Sequence, residues 1–312
     1  MSNSNKSIYT ARNIALSVGI SALYLLSCYW LIGYKTEQLI LVLLVNALLF
    51  ITRGTRKFIL AFLIFVVFWT LFDFMKAFPN YKFAKVHIED IYLLEKSWFG
   101  VNADGTRLTL NEYFAQHHCT VLDFLAGCFY LCWVPVPILF GIYLFYTKKR
   151  AGYIHFALTF LWVNLIGFVI YYLVPSAPPW YVELYGFAFN PHTPGNTAGL
   201  ERFDALLHVN IFHALYAQSS NVFAAMPSLH ASYQVVTLYH AFRNKQRLYA
   251  KIFFAVVMLG IWFTAVYASH HYLLDVVAGV LCAIVGIISY NLMYKKLPSF
   301  RRVVDRYIQV VD

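Results

Sequence analysis

Tyr267-Ala268-Ser269-His270-His271-Tyr272-Leu273-Leu274-Asp275 runs directly into an apolar stretch in which no charged residue follows until Lys295. That stretch is long enough to cross a bilayer as a helix, which takes ~20 residues. It must be helical there, because each backbone group needs a partner within the segment. An ionisable residue at the start of such a span is costly, which makes Asp275 a functional candidate. His271 and Asp275 are spaced i, i+4 and so share one helix face. A carboxylate there accepts a hydrogen bond from one imidazole nitrogen and raises the basicity of the other, which prepares a histidine for nucleophilic attack. The plainer alternative is a helix-capping aspartate beside an interfacial histidine pair.

The rest of the chain has the same character. Of its 312 residues 61% are hydrophobic and 12% charged, half the roughly 25% charged share of soluble domains. Residues 14–32, 39–51, 58–74, 121–146, 153–174, 227–242 and 250–268 form seven further apolar stretches, with 272–294 the eighth. The expectation is an all-α polytopic membrane protein of about eight transmembrane helices. The second stretch is short and suits a tilted, re-entrant or extended segment. The chain divides as 1–56, two N-terminal helices; 57–294, a six-helix core; and 295–312, a basic tail anchored at the membrane surface, where anionic lipid is a natural contact. Cys28, Cys119, Cys128, Cys132 and Cys282 form no CxxC pair and read as packing residues. The polar start lacks the features of a cleaved signal, so the first span reads as a retained anchor.

Two long segments lie between spans. Residues 76–119 mix charges with Tyr, Trp and Phe, as interfacial helices and loops do, and 175–226 are rich in Pro, Gly, Asn and Ser. With eight spans, seventeen of the 24 Lys and Arg fall on the N-terminal side, including Lys6 and the dense Lys148-Lys149-Arg150 loop. Five of the other seven sit in 76–119. The positive-inside rule then places both termini in the cytoplasm. The net charge of +10 is thereby explained by membrane anchoring, with no nucleic-acid partner. Histidine is asymmetric in the opposite sense: His87, His117, His118, His192, His208, His213, His230, His270 and His271 lie on the other face. Histidine is tolerated at interfaces, yet this bias points to extracytoplasmic chemistry.

On that face Met226-Pro227-Ser228-Leu229-His230 opens the sixth span. Proline is readily accepted at a helix start. The N–H groups of Ser228, Leu229 and His230, backed by the helix dipole, are expected to form an anion site suited to phosphate. His230 in the first turn is close enough to exchange a proton with a phosphate ester. Alone, PSxH is a weak signal.

PSxH followed about forty residues later by HxxxD resembles the type 2 phosphatidic acid phosphatase superfamily. The resemblance implies a six-helix core, His271 as a nucleophile that becomes phosphorylated, His230 as general acid and Asp275 as the residue orienting His271. Two features of that superfamily are missing. KxxxxxxRP is absent near 172–181, and the Ser-Arg pair seven and six residues before the nucleophile is replaced by Thr264 and Ala265. Two cationic groups for phosphate are therefore absent.

Those departures resemble a narrower family, the inositol phosphorylceramide synthases and their bacterial relatives. The likeness runs from Val174 to Gly279, through Ala177-Pro178-Pro179-Trp180-Tyr181, Gly199-Leu200-Glu201-Arg202-Phe203-Asp204, the PSxH stretch and the doubled His270-His271. It implies a cofactor-independent and metal-independent transfer of a lipid head group from a phospholipid donor to ceramide. Ser228, Leu229, His270 and Arg202 are the expected substrate-binding residues. Arg202 stands in for the absent cations at the phosphate, or else pairs with Glu201 or Asp204. Asp73 and Asp123 are candidates for hydroxyl contacts, with capping or pairing to lysines as the plainer reading. His117-His118 and Trp180-Tyr181 read as interface markers. Transfer to water, as in a lipid phosphate or pyrophosphate phosphatase, would use the same residues. A transporter or metal-binding reading fits less well, because no intramembrane charge chain stands out. A bacterial inner membrane is favoured, and a Golgi-type membrane would share the topology.

Overall fold

The structure is a computed structural model that describes residues 9–147, 149–216 and 221–312. Lys6 and Lys148, both counted above on the N-terminal side, lie outside the described residues. The described chain groups into two compact units, residues 9–78 with 302–312, and residues 79–301.

The first unit contains α1 (Ala11–Leu31), α2 (Thr36–Phe50) and α3 (Arg53–Phe74), together with most of α15 (Pro298–Val311). Within it Asn46 of α2 bridges Ser17 and Ser21 of α1, a polar link of the kind that joins helices in lipid. The sequence division placed 57–78 with the catalytic part, whereas α3 here packs on α2. Asp73 is engaged by Lys76 at 2.6 Å, the lysine pairing named above.

The second unit holds α6 (Thr120–Tyr130), α7 (Pro135–Tyr146), α8 (Arg150–Leu173), α12 (Leu229–Arg243), α13 (Leu248–Tyr267) and α14 (Leu273–Lys296). All eight apolar stretches are helical, but they differ as membrane spans. Among the described residues five helices are long and apolar enough to cross alone, and α6 with α7 makes a sixth, bent by 41°. The bend falls just before Pro135 and Pro137, which cannot continue the hydrogen-bond ladder of α6. α2 and α12 have 15 residues each, about 22 Å at 1.5 Å per residue, against a hydrocarbon core of ~30 Å. α12 is short for a reason: it packs against α7, α8, α13 and α14. Its Ser232, Gln234, Thr237 and His240 are buried against protein.

The two long connections of this unit fold together. The first contributes α4 (Glu89–Phe99), a hairpin of β1 (Val101–Ala103) and β2 (Thr106–Leu108), and α5 (Leu110–Gln116). The second contributes α9 (Pro179–Tyr185), α10 (Glu201–Leu207) and α11 (Ile211–Tyr216). They are stitched by the backbone: His87 N–H donates to Pro175 O, Ala177 N–H to His87 O, and Ser176 N–H to Phe223 O. Trp180 and Tyr181, expected at the interface, are buried within this layer. The Trp180 N–H donates to Ser269 O, and the Tyr181 hydroxyl donates to Ala188 O. Their sequence setting of prolines looked like a surface loop, but two connections covering one another make an interior.

Candidate active site

The site begins with a close approach of α12 and α14. A Cβ placed on Gly279 would lie 2.1 Å from the Ser228 carbonyl oxygen, so only glycine permits this spacing. The Ser232 hydroxyl donates to Gly279 O at 2.7 Å, and the Ser228 N–H donates to Asp275 O at 2.9 Å. The starts of the two helices are thereby locked side by side. His230 Nδ1 then faces His271 Nε2 at 3.1 Å, a hydrogen bond whose donor depends on the tautomers. Behind it His271 Nδ1 is 3.5 Å from Asp275 Oδ2, longer than a hydrogen bond. Asp275 Oδ2 accepts instead from the Tyr272 N–H at 2.9 Å. Both His271 and Asp275 are buried. Catalytic hydrogen bonds are often long without substrate and tighten when it binds.

Residues far away in sequence hold this pair. The bend between α6 and α7 lays Trp133 edge-on against the His230 ring at 4.5 Å, and the Tyr130 hydroxyl lies 3.4 Å from His230 Nδ1. Asn111 of α5 donates its amide to the carbonyls of Val266 and His271, at 2.8 and 3.0 Å. Glu95 of α4 is fully buried, and its carboxylate accepts from the N–H groups of Leu273 and Leu274 at 3.1 and 3.0 Å. Position 272, where a Ser or Asp would cap a helix, is tyrosine, so the cap comes from α4. Burial, reinforced by nearby Asp275, pushes the Glu95 carboxyl up to about 7 against the two backbone bonds that lower it. None of these four residues carries a local signal.

The expected phosphate site at the start of α12 needs correction. The helix begins at Leu229, with Ser228 as cap accepting from the Ala231 N–H. The Ser228 N–H is taken by Asp275 O, and the Leu229 N–H meets the Tyr171 hydroxyl. The close approach at Gly279 brings the first of these partners in. Of the three expected donors, His230 N–H alone lacks an acceptor among the described residues. Leu229 is a packing residue whose side chain sits against Gly167.

Arg202 pairs with Asp123, neither Glu201 nor Asp204: its Nε is 2.6 Å from Asp123 Oδ1. Its guanidinium lies over the Tyr267 ring at 5.1 Å, and its Nη2 is buried without a partner. Asp123 also accepts from the Tyr267 hydroxyl, so it is committed to holding Arg202. His270 is stacked against Tyr216 and Tyr130, with its Nε2 2.9 Å from Thr197 O. Burial first, and His271 second, push its pKa down to about 3. His270 is therefore neutral and donates to Thr197.

Comparison with known proteins identifies the family. The model of the PAP2 superfamily matches residues 89–289, a stretch that contains His230, His271 and Asp275. A phosphoinositol dihydroceramide synthase of Bacteroides thetaiotaomicron is 48% identical over 292 residues, covering 94% of this chain and 96% of that protein. The inositol phosphorylceramide synthase catalytic subunit of Saccharomyces cerevisiae is 28% identical over 242 residues, 74% of this chain and 56% of its own. The corresponding subunit of Schizosaccharomyces pombe is 29% identical over 244 residues, 74% and 53%. This chain thus spans about half the length of the two fungal proteins. No solved structure matches. A PAP2 match over α4 to α14 and a bacterial relative aligned almost end to end leave one assignment: this chain is an integral membrane protein of the PAP2 superfamily.

Proposed function

We propose that this protein moves a phosphoinositol head group from a glycerophospholipid to ceramide or dihydroceramide through a phosphohistidine at His271. The observation that carries this reading is the opposed pair, His271 Nε2 against His230 Nδ1 at 3.1 Å, with Asp275 behind the nucleophile. The near full-length likeness to a bacterial phosphoinositol dihydroceramide synthase supports the choice of substrates.

In the first step the His271 Nε2 lone pair attacks phosphorus and the bond to the diacylglycerol oxygen breaks. His230, protonated, gives that oxygen its proton. In the second step the acceptor's hydroxyl oxygen attacks phosphorus, His230 takes its proton, and the phosphorus–nitrogen bond breaks. A phosphoryl group enters by parting the two imidazoles, since 3.1 Å leaves no room between them. The His230 N–H and the unpartnered Arg202 Nη2 are the groups offered to its oxygens. Preorganised donors of this kind are what phosphoryl transfer requires. The bias of basic residues supports cytoplasmic termini and an extracytoplasmic site, and the likeness to a bacterial protein supports a bacterial inner membrane.

The test uses purified protein in detergent with fluorescent dihydroceramide and phosphatidylinositol, beside a His271→Ala control. A more polar, inositol-containing lipid that vanishes in the variant is the expected result. Phosphate release from phosphatidic acid or a lipid pyrophosphate, with no ceramide product, would replace the transferase by a hydrolase.

A further inference from the structure

A small cavity of about 70 Å³ adjoins the catalytic loop and is lined by Tyr92, Thr109, Asn111, Glu112, Glu183 and Tyr272, closed by Pro179 and Val182. It shares its wall with the site: Asn111 holds the His271 carbonyl, Tyr272 follows the nucleophile, and Glu183 accepts from the Ser269 hydroxyl at 2.7 Å. Two of the lining groups have no partner although each residue is only 1% exposed, the Asn111 Oδ1 and the Tyr272 hydroxyl. A buried polar atom left unpaired costs about 1–3 kcal/mol, so two on residues that line one cavity point to a polar occupant.

The chemistry of the lining narrows that occupant. A phosphate is disfavoured by Glu112 and Glu183. An ammonium is poorly served as well, because Glu112 already has Lys96 at 3.7 Å and accepts from the Tyr92 hydroxyl and the Thr109 N–H. A hydroxyl fits, since it donates to the Asn111 Oδ1 or to Glu183 and accepts from Tyr272. The volume suits several waters, at roughly 10–15 Å³ each, or the hydroxyl-bearing edge of a ring.

We infer that this cavity is the subsite for the hydroxyls of the donor's neutral polyol head group, with Tyr272, Glu183 and Asn111 as its specificity-determining residues. The inference rests on the proposed transfer reaction and deepens it. It assigns donor choice to α5, α9 and Tyr272, outside the His230–His271–Asp275 set.

The test compares phosphatidylinositol with phosphatidylglycerol and phosphatidylethanolamine of matched chains, using fluorescent dihydroceramide as acceptor. Tyr272→Phe removes only the hydroxyl, and Glu183→Gln keeps an acceptor for Ser269. Each is expected to raise KM for phosphatidylinositol about three- to tenfold, the worth of one hydrogen bond. The preference over phosphatidylglycerol should narrow, and KM for dihydroceramide should stay unchanged. As a check that needs no variant, free myo-inositol should compete with phosphatidylinositol on the wild type. If the wild type makes the inositol product yet neither variant alters donor preference and inositol does not compete, this subsite is wrong and the reaction stands. If the wild type prefers phosphatidylethanolamine and Glu183→Gln abolishes that preference, the occupant is an ammonium and the inference is overturned. A wild type that forms no head-group product at all removes the reaction and the subsite together.

Discussion

α12 and α14 start side by side, and their first turns are finished in opposite ways. α12 caps itself with the short Ser228 side chain and keeps one backbone donor, the His230 N–H, without an acceptor among the described residues. α14 has a tyrosine at the cap position and takes in two carboxylates: Glu95 on Leu273 and Leu274, Asp275 on Tyr272. A helix start binds anions only while its N–H groups are free. In the proposed mechanism one start is therefore left to the phosphoryl group, while the other is spent on fixing His271. Sequence placed an anion site at the first start and a His–Asp pair at the second, and gave no sign of Glu95.

The strongest way to break this comparison is to remove the carboxylate that finishes the α14 start and stands behind His271. Asp275→Asn presents an amide where Tyr272 N–H and His271 Nδ1 need acceptors, and kcat should fall about 10³- to 10⁴-fold, as for other buried acid–histidine pairs. Steady-state transfer to fluorescent dihydroceramide reads it; a drop under tenfold would show that Asp275 is only a cap. Next comes the spacing of the two starts. Gly279→Ala drives a methyl against the Ser228 backbone oxygen, and about 10²-fold in kcat is expected from a shift of the order of 1 Å. Gly286→Ala is the matched control, because its methyl meets the Val163 side chain, whose Cγ2 lies 2.4 Å away. Gly286→Ala should lower the melting temperature while sparing kcat more.

Glu95 sharpens the comparison further. Without its carboxylate the Leu273 and Leu274 N–H groups become buried orphans that compete for Asp275. Glu95→Ala should cost about tenfold in kcat with KM for both lipids unchanged, and Glu95→Gln should cost less. In an Asp275→Asn background the additional effect should shrink, because coupled residues are not additive. Equal effects in both backgrounds would mean that Glu95 acts on folding and not through Asp275.

What could be read in advance follows from distance along the chain. His271 and Asp275 declare themselves because four residues make about one helical turn, and His230 because Pro227-Ser228 announces a helix start, which the structure places at Leu229. Glu95 reaches α14 across 178 residues and Asn111 reaches His271 across 160. No periodicity links such positions, and a buried glutamate in a charged loop looks like any surface glutamate. Arg202 was visible as the basic residue of its loop, but its partner Asp123 lies 79 residues earlier. Helicity of the apolar stretches was plain, whereas the shortness of α12 and the break before Pro135 depended on what packs around them.

The smallest effect concerns His270, the neighbour of the proposed nucleophile, which belongs to neither helix start. It is sandwiched between Tyr216 and Tyr130 and donates to Thr197 O, so it is held neutral, and its proton is expected to take no part in the proposed reaction. Its pKa is depressed to about 3 from 6.5. The unfolded chain therefore takes up a proton near pH 6.5 that the folded chain refuses. Stability from this group is complete above pH 6.5 and is lost as pH falls from there toward 3. His270→Gln keeps a donor for Thr197 and cannot titrate, so the fall in melting temperature between about pH 7 and pH 5 should be shallower than in the wild type. The pH profile of kcat should not move. A shifted profile would instead place His270 among the groups that exchange protons with substrate, and the doubled histidine would then be a catalytic pair.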